Sequence, residues 1–505
     1  MTAVDPVLAL RISLAVLAGL GAYRFLVPSA RRRSRIALAA RLVHDAAMYA
    51  KQGDARKASE FLDRVLDMLA ALEPEARAAA LPVLVSVGQL GSRLARDERG
   101  PARLARAQAL AVEWSGRDSD ESLALIACVA AMHLGRPGEA LLAEAQYRAG
   151  YDTAARKHGR EAPQTVYWSS MRAHALWLAA KLPEAEAVFR EVLRVVEKLP
   201  EPDPDQLWRA RCSLAAVVEA RGRFAEARDV VAGAVARMEG QQPPDRAGLA
   251  ERLGRLGWLH FELASYAEAE ACFKRALSLA HQIAGESKED QVHRARAQLA
   301  VLYSQQARYD EAEAIYEELV AASTALWTDV SNYAETKLLA GRLSDARGLF
   351  ERALTAARRE SVPEPDLRDT LRALGDLALR EAALPEAEGY YTRALAAHDA
   401  VHGRDHPHSA APLAGLGSLR LAQSRPEEAE AAHREALALR EKWLGRDHPD
   451  TATSLIGLAL VLESTARTAE ARDLVQRALS IRRATFPPDH PAIVETHAAV
   501  ARLER

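Results

Sequence analysis

Four histidines crowd one short stretch: His398, His402, His406 and His408. His398 and His402 stand four apart in a helical pattern, a spacing that puts both on one helix face and can bind a metal. His406 also belongs to "GRDHP" at 403–407, which returns at 445–449 and, as "PPDHP", at 487–491. Asp-His-Pro has the residue types that open a catalytic or metal site. Two facts weigh against such chemistry. The positions that match His398 and His402 one unit later are Arg440 and Leu444, with no carboxylate or cysteine fixed alongside. And His406, His448 and His490 are spaced 42 apart, twice in succession, so the triplet comes round with a period.

Other chemistry is thinly represented. No Walker pattern, no GxGxxG after a strand, no HExxH and no GxSxG occurs. Cys128, Cys212 and Cys272 are far apart and make no CxxC pair; they read as buried small residues. Carboxylates abound beside arginines, as in "EEAEAAHREALALRE", the pattern of a solvated helix face with i,i+4 pairs. The chain has 67 basic and 69 acidic residues, net −2, so no basic footprint for nucleic acid is present. No catalytic residue, metal or cofactor is expected, and the chain reads as not an enzyme.

The elements that carry these residues are helices. Ala, Leu, Arg and Glu dominate, and all are strong helix formers. The excess of Arg over Lys points to a GC-rich bacterial genome. In residues 256–280, two helical patterns meet at Ala264–Ser265–Tyr266. Ala269, Phe273 and Ala276 share one face of the second, at i, i+4, i+7. Gly257 and Ala269 are small where two antiparallel helices must approach, and Phe273 fills the space to the next pair. The same frame recurs from Ala185-Phe189-Val192 to Ala471-Val475-Ala478, mostly in steps of 41–43 residues. A first-helix small residue recurs with it: Ala173, Ala215, Gly257, Ala300, Ala334, Gly375, Gly417 and Ala459. Upstream the frame is looser, with fits at Ala58 and Ala140 and a degenerate pair around Ala105.

Each Asp-His-Pro then falls between a finished second helix and a new first helix. Gly403 and Gly445 fit a helix C-terminus. Pro407, Pro449 and Pro491 fit a first helical position, and the histidine before each is the boundary residue. The aspartate is expected to accept from free backbone N–H groups of the new helix. The triplet is read as punctuation.

This pattern resembles the tetratricopeptide repeat (TPR) family, through the small residue of the first helix, the Ala of the second and the aromatic four residues later, as in Gly257, Ala269 and Phe273. The match covers about residues 39–505. Residues 366–490, with their 42-residue steps and "GRDHP" junctions, resemble the longer repeats of kinesin light chains. "LAGLGSL" and "LIGLALV" lack the Asn pair that grips a ligand backbone in that type. The resemblance implies an all-α, right-handed TPR solenoid (an α-α superhelix) of about ten or eleven helix pairs, with a concave face lined by first helices. Each pair buries too little to stand alone and is stabilised by its neighbours.

Residues one after, four after and six before the small position should point into that concave face. This gives His174 and Trp177, Trp258 and Phe261, with Tyr167 and Glu251 six before. Arg209 and Arg294 lie on the same stripe and could meet an acidic peptide. Bulky aromatics there either anchor a ligand or pack between units. The candidate groove is therefore Tyr167, His174, Trp177, Arg209, Trp258, Phe261 and Arg294.

Residues 7–27, "VLALRISLAVLAGLGAYRFLV", are long and apolar enough to span a membrane, and "RRRSR" follows at 31–35, as on a cytoplasmic flank. An amphipathic helix packed on the array and a signal peptide are the other readings. The expected organisation is a hydrophobic N-terminal helix with basic flank (1–36), degenerate TPR-like pairs (37–160), TPR repeats (161–365), kinesin-light-chain-like repeats (366–490) and a capping helix (491–505). The expected function is a non-enzymatic scaffold or adaptor. It binds a partner protein or peptide on its concave face, in the cytoplasm or at the cytoplasmic face of a membrane. The alternative is a regulatory or assembly subunit that binds through its convex face and ends.

Overall fold

The computed structural model describes residues 30–504 except 95–98, 135, 137–138, 200–202, 241–244, 284–286 and 322–325. The hydrophobic stretch 7–27, and with it the anchoring expectation, lies outside the described residues. No helix among those described is long and apolar enough to cross a membrane.

Every regular element described is helical. The helices are α1 (Ala30–Lys51), α2 (Ala55–Ala70), α3 (Pro74–Arg93), α4 (Gly100–Ser115), α5 (Asp120–Leu134), α6 (Ala140–His158), α7 (Pro163–Leu178) and α8 (Leu182–Glu197). Then come α9 (Pro204–Glu219), α10 (Phe224–Glu239), α11 (Arg246–Glu262), α12 (Tyr266–His281), α13 (Ser287–Gln305), α14 (Tyr309–Ala321), α15 (Trp327–Leu339) and α16 (Leu343–Arg359). The last are α17 (Arg368–Arg380), α18 (Leu384–His402), α19 (Ala410–Ala422), α20 (Pro426–Trp443), α21 (Pro449–Ser464), α22 (Thr468–Thr485) and α23 (Pro491–Leu503). Taken in order they make eleven hairpins and a terminal helix, as the repeat count requires. The degenerate pair around Ala105 is α3 and α4. Contacts divide the chain into two compact units, Met1–Ser213 and Leu214–Arg505.

The hairpins form for the reasons the spacing suggests. The second-helix alanines Ala185, Ala227, Ala269, Ala312, Ala346, Ala387, Ala429 and Ala471 are all completely buried. A Cβ on Gly257 would come within 2.6 Å of Phe273, and one on Gly375 within 2.6 Å of Tyr391. These are the close approaches that required small residues. From α7 onward the turn between the two helices is the same each time. Its residue has positive φ, as at Gly222, Ala264, Ala307, Gly341, Ala382, Ser424 and Ala466. The next N–H bonds back five residues, as Ser265 N–H to His260 O (2.9 Å) and Arg467 N–H to Leu462 O (2.9 Å). That is a Schellman closure, which satisfies carbonyls the helix end leaves free.

Within the second unit the first helices α11, α13, α15, α17, α19 and α21 touch one another in series, forming an inner layer. The outer layer is knit across repeats by ion pairs such as Arg275–Glu239 (2.5 Å) and Arg467–Glu430 (2.6 Å).

The Asp-His-Pro junctions do more than punctuate. His406, His448 and His490 are the N-cap residues, followed by proline. The aspartate was expected to cap; the histidine does it instead. Its Nδ1 accepts from the backbone N–H two residues on: His408 (3.2 Å), Asp450 (3.1 Å) and Ala492 (3.2 Å). Asp405 turns away to Lys442 and Trp443. An Nδ1 that accepts leaves the proton on Nε2, and Nε2 donates to a distant carbonyl. His406 reaches Glu219 O (3.4 Å), His448 reaches Glu262 O (3.1 Å) and His490 reaches Gln305 O (3.2 Å). The sequence separations are 187, 186 and 185. Those acceptors are the last residues of α9, α11 and α13. His448 and His490 therefore cap the starts of α21 and α23, and His406 caps the 3-10 turn 407–409 that leads into α19, while each also caps the end of another first helix far upstream. Apolar contacts follow the same seam. Tyr266 stacks on Phe486 (5.8 Å), and Leu479, Phe486 and Ile493 join the core cluster of residues 266–377. The second unit's late repeats close onto its early ones.

A candidate partner-binding cavity

Closure leaves a cavity of about 790 Å³ inside the second unit, within the range of ligand sites in general. One wall is aromatic. Trp258 and Phe261, on α11, stack at 5.0 Å and 22° and rest half-buried on the core. They are thus both packed and lining, and the two sequence readings of them meet. Arg294 of α13 also lines the cavity and is exposed there.

The other sequence candidates lie in the first unit. Tyr167 is half exposed and edge-on to Trp168 (5.8 Å). His174 and Trp177 form an edge-on pair at 5.5 Å, and burial holds the His174 pKa below its usual value. Arg209 is exposed, 3.9 Å from Asp203.

The stripe that yielded Arg294 continues. Residues six before the small positions Ala334, Gly375 and Gly417 are Thr328, Asp369 and Ala411, and all three line the cavity. Extending the rule through the array would have found them. It would not have found His408, Arg440 or Asp450, which come from a junction, a second helix and a helix start.

These polar groups form a mesh. His408 Nε2 lies 3.3 Å from Glu262 Oε2. Burial alone would lower the His408 pKa, but Glu262 and Asp369 outweigh it and raise it. His398 Nε2 stands 3.5 Å from Asp369 Oδ1; burial dominates and pushes its pKa down to about 4. Arg372 pairs with Glu335 and with Asp376 (2.5 Å). Arg440 is buried and donates to Ser454 Oγ (2.7 Å), although its segment reads as a solvated face. His293 pairs with Asp329 (2.9 Å), which also caps α15 by accepting from Leu326 N–H (3.1 Å).

His398 and His408 do come together, with ring centres 6.3 Å apart. The side chain of His402 is not among those described. Among the described residues, no three His, Cys, Asp or Glu side chains are grouped to hold a metal.

The architecture is that of a helical-repeat solenoid whose first helices face a cavity. Two family models, both described as tetratricopeptide repeat, match it: one at residues 205–282, 324–400, 368–442 and 410–484, the other at 295–326. Together they span just over half of the sequence. The chain belongs to the tetratricopeptide repeat family. Several solved structures are similar in fold. The apo form of RapI has a TM-score of 0.50 at 13% identity, covering 72% of this chain and 98% of that one. A tetratricopeptide repeat protein from Parabacteroides merdae has 0.36 at 17%, covering 64% and 93%. A kinesin light chain of TPR-like repeats from Podosopora anserina has 0.34 at 19%, covering 42% and 97%. No curated protein matches the chain.

Proposed function

We propose that this protein is a non-enzymatic interaction scaffold that holds a segment of a partner protein in the cavity of its second unit. One observation carries the reading. The inward stripe of successive first helices meets in a single space, with the Trp258–Phe261 stack as its wall. Repeat solenoids use such concave surfaces for binding, and rigid aromatics suit binding anchors. Site-specific photocrosslinking tests it. A crosslinker at Asn332, which lines the cavity, captures the partner, and one at the exposed Arg352 of α16 does not. Capture at Arg352 alone overturns the reading in favour of the outer face.

Residues 7–27 and the basic run behind them support a second element of this proposal: the scaffold is tethered at the cytoplasmic face of a membrane. Full-length protein then pellets with membranes and a chain lacking 1–36 stays in the supernatant; equal pelleting rules the tether out.

A further inference from the structure

The lining of the cavity is unbalanced in charge. It carries seven carboxylates against three arginines, and no lysine. The formal excess is four negative charges in a chain whose whole net charge is −2. Two of those arginines are already engaged: Arg372 with Glu335 and Asp376, and Arg440 with Ser454. Asp369 faces His398, which burial keeps neutral near pH 7. Asp369 also lies 3.9 Å from Arg368, and its side chain is 67% exposed. Glu289 and Asp290, in the first turn of α13, are exposed at the rim.

A second, independent observation points to a ligand. Tyr316 lines the cavity with its side chain fully buried, and its hydroxyl has no hydrogen-bond partner among the described residues. A buried hydroxyl left unpaired is costly in an empty site. Burial raises the Tyr316 pKa, and the charges of Glu335 and Asp329 act in the same direction. A hydroxyl beside carboxylates can accept from an N–H-rich cation as they do. The stacked faces of Trp258 and Phe261 complete the set, because aromatic faces attract cations.

We propose that the cavity is selective for a positively charged group, the guanidinium or ammonium of a basic side chain on the partner segment. This rests on the cavity reading above and sharpens it. It reverses the sequence expectation that Arg294 would draw an acidic peptide.

Fluorescence anisotropy on the full-length chain tests it with a labelled capped hexapeptide of sequence GSRLGS, its Glu-for-Arg twin, and spermidine as unlabelled competitor. The Arg peptide binds, and the Glu twin binds at least about tenfold more weakly, the effect of one lost charged hydrogen bond. The double variant Glu289→Gln, Asp290→Asn loosens the Arg peptide by roughly two- to fivefold, as weak rim charges do. Tyr316→Phe also weakens it by several-fold while leaving the melting temperature of the free protein unchanged or higher, because the free protein loses only an unpaired hydroxyl. A purely structural tyrosine would lower both. Equal binding of the two peptides overturns the proposal, as does an affinity unmoved by Tyr316→Phe. Spermidine binding without peptide binding overturns the assignment to a partner side chain. Crosslinking of a partner at Asn332 alongside equal peptide binding sinks this inference alone and leaves the cavity reading standing.

Discussion

His433 occupies the position that Phe273, Phe350 and Tyr391 hold in other repeats, and it is buried against Gly417 and Gly457. Neither of its ring nitrogens has a partner among the described residues. Burial pushes its pKa down to about 4. The folded chain thus keeps it neutral where the unfolded chain, with a value near 6.5, takes a proton. Its contribution is intact above about 6.5 and is lost as pH falls toward 4. At about 1.4 kcal/mol per unit, the loss approaches roughly 3 kcal/mol. His490, lowered chiefly by burial, acts in the same sense. His408 acts in the opposite one: its raised value contributes stability at low pH that disappears as pH rises through that value. We expect His433→Phe to stabilise the protein at pH 7 by about 1–3 kcal/mol and to flatten its acid limb. Denaturant melts at pH 7.5 and 5 measure this, and parallel pH profiles for variant and wild type would refute it.

At the scale of elements, the junction histidines each serve two helices. His448→Ala removes the N-cap of α21 and the cap on Glu262 O together, and should cost about 1–3 kcal/mol. His448→Asn can still cap α21 but is too short to reach α11, so it should recover only part of that loss in the same melts. An asparagine variant as stable as wild type would show that the long-range bond contributes nothing. The elements themselves were legible in sequence. The second-helix alanine and the small first-helix residue mark every hairpin from 163 to 485, with Phe, Tyr, Val or His four after the alanine, because close approach and cavity filling restrict residue type. The junction was legible as a boundary, through Gly403 and Pro407, but not as a bridge. Its acceptors are the backbone carbonyls of Glu219, Glu262 and Gln305, and a backbone acceptor leaves no trace in residue type. The cavity was half legible for the same kind of reason. Trp258, Phe261 and Arg294 follow from the stripe, whereas His408 and Arg440 enter only because distant repeats come together.

At the scale of the second unit, those bridges change how stability is distributed. An open array gains stability from nearest neighbours only and frays from its ends. Here α21 and α23 are tied to α11 and α13. Native-state hydrogen exchange should therefore show α23 nearly as protected as α13. The triple variant His406→Ala, His448→Ala, His490→Ala should release α23 first. A wild-type α23 that exchanges as freely as a fraying end would contradict closure. The same bridges set a schedule for synthesis. When α11 leaves the ribosome, its capping histidine still lies 186 residues away. At roughly 5–20 residues per second, that is a wait of about 10–40 s. For that interval the ends of α9, α11 and α13, and the Tyr266 face that Phe486 will cover, are bare. The nascent chain offers a chaperone, or a second nascent copy, a surface that the finished protein no longer has.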